Sequence, residues 1–314
     1  MRFIDREEVA RRLTYEAAIP IVREAMIAFS TGRTRQLLRS ILPLAEGRMF
    51  GVMPGALGEH APFGAKIVSV YPENFAAGRQ AHQGVIVLFE PESGAPVCVV
   101  HAGEVTAIRT AAASAVATDA LARPEASQLA ILGYGEQARA HLRAIAQVRP
   151  IEKALVWGRD ARRAQAFAGD MSPELGVEVG VAADVREAVA TADIVCAVSA
   201  ASEPILRGAW LPAGAHVNLV GSSRAGPAEA DNEVVRLSRF IVDSREGVLA
   251  QGAEFLNAKA AGLVDDAHLA GEIGEVLAGQ VEGRQDARQI TVYKSLGHIV
   301  QDLASAWALY RGAI

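Results

Sequence analysis

The chain has little cysteine: two residues in 314, Cys98 and Cys196, each inside an apolar strand-like segment. A thiol there behaves as a small hydrophobe, so no disulfide and no metal site is expected. Long apolar runs are missing too, since Gly, Pro or a charge interrupts each one, which argues against a membrane span. The opening Met1-Arg2-Phe3-Ile4-Asp5-Arg6-Glu7-Glu8 has no signal-peptide block, and a cytoplasmic location is expected. No basic run is interleaved with aromatics and the formal net charge is -5, which makes nucleic acid an unsuitable partner. Internal repeats and low-complexity tracts are absent from the sequence. What is present is 51% hydrophobic and 21% charged, enough for a large core, in a length that suits two domains better than one.

The most informative local motif is Gly133-x-Gly135-x-x-Ala138, which follows the apolar Leu129–Leu132 and runs into a helical pattern through His141, Leu142 and Ile145. Gly133 is suited to the tight turn, Gly135 to backbone approach to a pyrophosphate, and Ala138 to close helix packing. Glu136 and Gln137 open the helix, whose unpaired amides would face the phosphates. The second strand ends Val156-Trp157-Gly158-Arg159-Asp160. An arginine where an acid would grip the ribose favours NADP(H) over NAD(H), the alternative being that Asp160 is the ribose ligand.

Residues 6–30 read as helical. Strand signals follow at Arg48–Met53, Phe63–Tyr71, Gly84–Glu90 and Pro96–Val100, and an Ala-rich helix at Gly103–Ala122 ends before Pro124. Beyond it, strands and helices alternate: Leu129–Leu132, Ala154–Trp157, Val177–Val181, Ile194–Val198, His216–Val220 and Arg239–Val242 are the strands. A final helical stretch is expected over Ile290–Leu309. The fold class is therefore α/β: a doubly wound Rossmann domain over residues 123–289, and a mostly antiparallel α+β domain built from 1–122 and 290–314.

Several strings, Leu38-Arg39-Ser40, Phe63-Gly64-Ala65-Lys66, Ala81-His82-Gln83-Gly84, Thr106-Ala107-Ile108-Arg109-Thr110-Ala111-Ala112 and Tyr293-Lys294-Ser295-Leu296-Gly297, together with Gly133–Ala138, resemble the ornithine cyclodeaminase and mu-crystallin family over nearly the whole chain. The resemblance implies a nicotinamide-binding homodimer whose first domain pairs sheets across the dimer and binds substrate. It brings Arg39, Lys66 and Arg109 around a substrate carboxylate and the nicotinamide end of the cofactor, with Gly297 beside the substrate. Such cations suit an anion, and a buried Arg109 needs an anionic partner. Ala81, His82 and Gln83 match a cofactor-contacting segment, and His82 is also a candidate proton donor, a surface histidine being the alternative. Ser199 and Val220 stand at carboxyl ends of strands, where cofactors bind. Lys294 and Ser295 match a segment returning beneath the nicotinamide, unless they simply begin a helix.

The departures from the family are as informative. Where a cyclodeaminase carries a catalytic aspartate after the strand ending near Val220, this chain reads Gly221-Ser222-Ser223-Arg224, and Gly51 stands at a second acidic position. Asp231 and Glu229 lie nearby but on the following segment. Loss of two carboxylates suited to a cationic amine argues against ornithine cyclodeamination. It favours reduction of a cyclic imino acid by NADPH, with the carboxylate held by Arg39 and Lys66 and a proton supplied by His82, Ser223 or water. The alternatives are an alanine-type amino-acid dehydrogenase and a non-catalytic NADPH and small-ligand binder of mu-crystallin type.

Overall fold

Period-two apolar patterning through residues 49–101 produces the first of two sheets, and short β-branched runs separated by helices produce the second. The computed structural model describes residues 1–75 and 77–314. They form two compact units, one of residues 1–110 with 298–314 and one of residues 111–297.

The first unit opens with β1 (Arg2–Ile4), α1 (Arg6–Arg12) and α2 (Tyr15–Ser30). The single helix expected over 6–30 is divided at Leu13–Thr14, because the Thr14 hydroxyl accepts the Ala17 amide and caps a new helix. There follow β2 (Arg35–Gln36), β3 (Ser40–Pro43), β4 (Met49–Ala56), β5 (Phe63–Val70), β6 (His82–Phe89), β7 (Pro96–His101) and α3 (Ala102–Leu121). The sheet runs β1-β7-β6-β5-β4-β2, with β3 also on β4. Its pairs are antiparallel except β1 with β7, whose three residues are too short to be read from sequence. In α3, Ala111, Ala112, Ala113, Ala115, Val116 and Ala117 are all buried, so small side chains let this helix be enclosed on every side.

In the second unit come β8 (Gln128–Leu132), α4 (Glu136–Ile145), β9 (Lys153–Trp157), α5 (Ala161–Leu175), β10 (Glu178–Val181), α6 (Val185–Val189) and β11 (Ile194–Ala197). The chain continues through β12 (His216–Leu219), α7 (Asn232–Leu237), β13 (Ser238–Val242), α8 (Arg245–Gln251), α9 (Ala253–Ala260), β14 (Leu269–Glu272), α10 (Ile273–Leu277) and β15 (Ile290–Lys294). The last helix, α11 (Ile299–Arg311), returns to the first unit, where it packs on α2, β4, β5 and β6. The strands of the second unit lie parallel in the order β10-β9-β8-β11-β12-β15-β13-β14. Apolar residues from one face of the sheet, among them Leu132, Val195, Leu219, Phe240 and Val292, pack with Phe255 of α9 in a common core.

The expectation of helix from Ile290 needs correction. Residues 290–294 are β15, inserted between β12 and β13, as Ile-Thr-Val-Tyr-Lys with three β-branched residues and a buried tyrosine requires. The boundaries between the compact units accordingly fall at 110/111 and 297/298, not at 122/123 and 289/290. Among the described residues no helix is long and apolar enough to cross a membrane. Cys98 and Cys196 are both buried free thiols, and burial pushes the Cys196 pKa up to about 12.

Candidate functional site

In the first unit the strand alternation of β5 turns Lys66 inward, where it is 3% exposed. Its ammonium donates to Asp302 Oδ1 on α11 at 3.0 Å, and Arg109 Nε on α3 donates to the same oxygen at 3.1 Å. Arg109 also donates to Gln301 Oε1 at 2.8 Å. Two buried cations thus share one carboxylate oxygen, and Asp302 Oδ2 is buried without a hydrogen-bond partner. Burial lowers the Lys66 pKa to about 8; Asp302 opposes the shift, while Arg109 and Arg39 add to it. Burial would raise the Asp302 pKa, but Arg109 and Lys66 hold it below the ordinary carboxylate value.

Arg39 is half-buried immediately before β3, and its charge acts on Lys66, His82 and His298. His82 heads β6 beside Ala81 and Gln83. Although solvent touches this residue, the protein around the ring desolvates the imidazolium and Lys66, Arg109 and Arg39 repel it, lowering its pKa to about 4. Gln83 is exposed and donates to Gln80 O at 3.1 Å. His298, which caps α11 and lies 4.1 Å from the Phe29 ring centroid, is likewise lowered to about 4, chiefly by burial.

In the second unit the sheet order reverses around β8, whose neighbours β9 and β11 are reached by chain running in opposite senses. A crevice at the carboxyl ends of β8 and β11 is the expected ligand position in such a sheet. Gly133 stands there with φ +136, and a Cβ on it would lie 3.0 Å from Val198 O, so the position demands glycine. Gly135 is the N-cap of α4 and offers no side chain to its amides, while Ala138 is fully buried. Glu136 is exposed, and Gln137 Oε1 is buried without a partner. Tyr134 lies across Gly158, where a Cβ would come within 2.1 Å of its ring.

Arg159 is exposed and lines a pocket of about 590 Å³ with Trp157, Gly158, Ala161, Gln165 and Val181. Asp160 is occupied otherwise: its Oδ1 accepts the amides of Arg162 at 3.0 Å and Arg163 at 3.2 Å, capping α5. A helix N-terminus with no side-chain cap, a turn that only glycine fits, an orphaned buried oxygen and a pocket bearing Arg159 together fit a dinucleotide.

The largest departure from the sequence reading lies at the ends of β11 and β12. Glu229 is fully buried and accepts from Ser199 N at 2.6 Å, Ser199 Oγ at 2.7 Å and Gly221 N at 2.6 Å. Burial pushes its pKa up to about 7 against those hydrogen bonds and Lys294. Its own amide donates to Glu254 Oε1, whose other oxygen pairs with Lys294 at 2.7 Å. Lys294 also donates to Ser222 O at 2.6 Å, so its ammonium is spent inside the protein. Ser199 therefore presents a side chain already committed to Glu229, and Val220 is buried, its amide donating to Ala197 O at 3.0 Å. Ser223 is half-buried in the loop after β12. Ser295 Oγ is buried without a partner, and Gly297, at φ +82, donates its amide to Asp243 Oδ2 at 2.7 Å.

Sequence reasoning missed Asp302 and Glu254 and passed over Glu229. A signal existed for Asp302: a lone acid among Ile299, Leu303 and Ala306 on the buried face of a helix needs a cation.

The Ornithine cyclodeaminase/mu-crystallin family matches residues 2–313. The Ketimine reductase mu-crystallin of Mus musculus is 34% identical over 313 residues, covering 98% of this chain and 96% of the relative. The Delta(1)-pyrroline-2-carboxylate reductase of Bacillus cereus is 32% identical over 316 residues, covering 100% and 97%. The structure of Thermococcus litoralis Delta(1)-pyrroline-2-carboxylate reductase in complex with NADH and L-proline is similar with a TM-score of 0.96 at 35% identity, covering 100% of this chain and 97% of that one.

Proposed function

Because the chain belongs to the ornithine cyclodeaminase/mu-crystallin family, we propose that it reduces a cyclic imino acid with NADPH, converting Δ1-pyrroline-2-carboxylate to L-proline, its six-membered homologue to L-pipecolate, or both. The observation that carries this reading is the Lys66–Asp302–Arg109 cluster, where two buried cations face one acid. Its surplus positive charge suits a carboxylate, and two relatives are named as reductases of C=N compounds.

A reduced nicotinamide, when bound, supplies the hydride for the imine carbon. Gly133, Gly135 and the amides that open α4 would hold the pyrophosphate, and Arg159 a 2′-phosphate, since Asp160 is engaged as a cap. Arg39 and Arg109 hold the carboxylate. Lys66, with a pKa of about 8, carries a proton at neutral pH and can release it to the ring nitrogen, then regain one from solvent. His82 is a neutral imidazole at that pH, which moves the proton-donor role from it to Lys66. Ser223 carries no charge to attract an amine, in keeping with an imine substrate.

We further read the protein as a homodimer. Leu42 and Phe50 are cross-strand partners and, with Phe63, are exposed apolar residues on the first unit. Sedimentation should give twice the chain mass of 33.1 kDa. The deciding assay is NADPH and NADH oxidation with five- and six-membered cyclic imino acids, with pyruvate plus ammonia and ornithine as controls. Oxidation only with pyruvate plus ammonia would make it a dehydrogenase of acyclic imines. Tight NADPH binding with no oxidation of any substrate would make it a binding protein.

A further inference from the structure

Among the described residues Asp302 is the one acid paired with both Lys66 and Arg109, and it belongs to no string that marked the site in the sequence. Lys66 Nζ and Arg109 Nε converge on Oδ1 at 3.0 and 3.1 Å, while Gln301 turns its Oε1 to the far side of the Arg109 guanidinium at 2.8 Å. Gln301 is itself held, its Nε2 lying 3.2 Å from Met26 Sδ. Both cations are therefore fixed from α11, by adjacent residues. The geometry is asymmetric: Oδ1 takes two donors and Oδ2 is buried with none. A pair retained only to close a core would satisfy both oxygens or be apolar.

We propose that Asp302 is the positioning residue of the anion clamp, fixing Lys66 and Arg109 at one oxygen and cancelling one of the three positive charges of Lys66, Arg109 and Arg39, which weakens the clamp for dicarboxylates relative to monocarboxylates. This rests on the imino-acid reading for the class of ligand. It adds the charge count that sets which acids are admitted. The groups facing Lys66 are Asp302 from α11, Arg109 from α3, Arg39 before β3 and His82 from β6. Among them Asp302 is the sole group that favours the charged amine. Removing its charge leaves only neighbours that disfavour the ammonium.

The test uses Asp302→Asn, which keeps the shape and loses the charge, and Asp302→Glu, which keeps the charge and alters the reach. Calorimetry at pH 5.5 compares pyrrole-2-carboxylate with pyrrole-2,5-dicarboxylate, with and without NADP(H). In this chain the four lysines, Lys66, Lys153, Lys259 and Lys294, give four side-chain signals when lysine is isotopically labelled. The expected result is a rise of about tenfold or more in the dicarboxylate to monocarboxylate affinity ratio for Asp302→Asn. The Lys66 titration midpoint should also fall from about 8. In Asp302→Glu the ratio should stay at the wild-type value. An unchanged ratio and midpoint in Asp302→Asn would overturn the proposal. So would a changed ratio in Asp302→Glu, which decides the matter if the Asn variant does not fold. Neither readout needs turnover, so a wild-type protein that fails to oxidise NADPH with any imine sinks the reductase reading separately.

Discussion

Each unit buries one ionic triad, and the two are mirror images in charge. In the first, Lys66 and Arg109 share Asp302, leaving one positive charge in excess. In the second, Lys294 faces Glu254 and, through it, Glu229, leaving one negative charge when all are ionised. The excess is treated differently. The negative triad spends its surplus on protein donors, the amides of Ser199 and Gly221 and the Ser199 hydroxyl, and so ties together the ends of β11 and β12. Among the described residues the positive triad finds no second acid and keeps an orphaned oxygen. A buried charge met by backbone donors is structural equipment, whereas one left in excess is a demand on a ligand.

The contrast can be broken most severely at Lys66. Lys66→Met should lower kcat/KM by about 10²–10⁴-fold, the range for removing a general acid, with NADPH affinity by fluorescence titration nearly unchanged. Equal loss of NADPH binding would show that Lys66 serves the cofactor. Next in size, Glu254→Leu strands a fully buried Lys294 and should cost about 3–5 kcal/mol in urea unfolding, against little change in the first unit's Lys66 titration.

The triads should also answer to opposite pH windows. The folded Lys66 pKa of about 8 lies below its ordinary 10.5, so the unfolded chain holds the extra proton between them and stability rises with pH through that range. The folded Glu229 pKa of about 7 lies above its ordinary 4.5, so the folded chain holds the extra proton and stability falls as pH rises from 4.5 to 7. Each contribution is about 3 kcal/mol. In unfolding curves across pH, Glu229→Gln should flatten the lower slope and Lys66→Met the upper one. If one substitution flattens both, the triads are not independent. The smallest effect is a control outside both triads. Arg159→Asp should move the NADPH to NADH preference by about tenfold and leave both pH slopes intact.

What could be read from the sequence was whatever depends on neighbours along the chain. The turn at Gly133–Ala138 announces itself because strand, glycines and helix are contiguous, and the β5 pattern places Lys66 between Ala65 and Ile67 on a pleated strand. Asp302 escaped because its partner is 236 residues away, a separation no spacing rule reaches. Glu229 was set aside since a loop separates it from β12, yet that loop folds back to put it under Ser199. The misread helix at Ile290 shows how a short apolar run beside a real helix is absorbed into its pattern.

The position of β15 bears on how the molecule can be cut. A piece ending at residue 289 would leave β12 and β13 as two raw edges facing each other across a missing strand, in the interior of the sheet rather than at its rim. Such a fragment would invite pairing with any extended chain nearby. Dissection of the second unit must therefore carry the chain through Gly297, whose amide Asp243 secures.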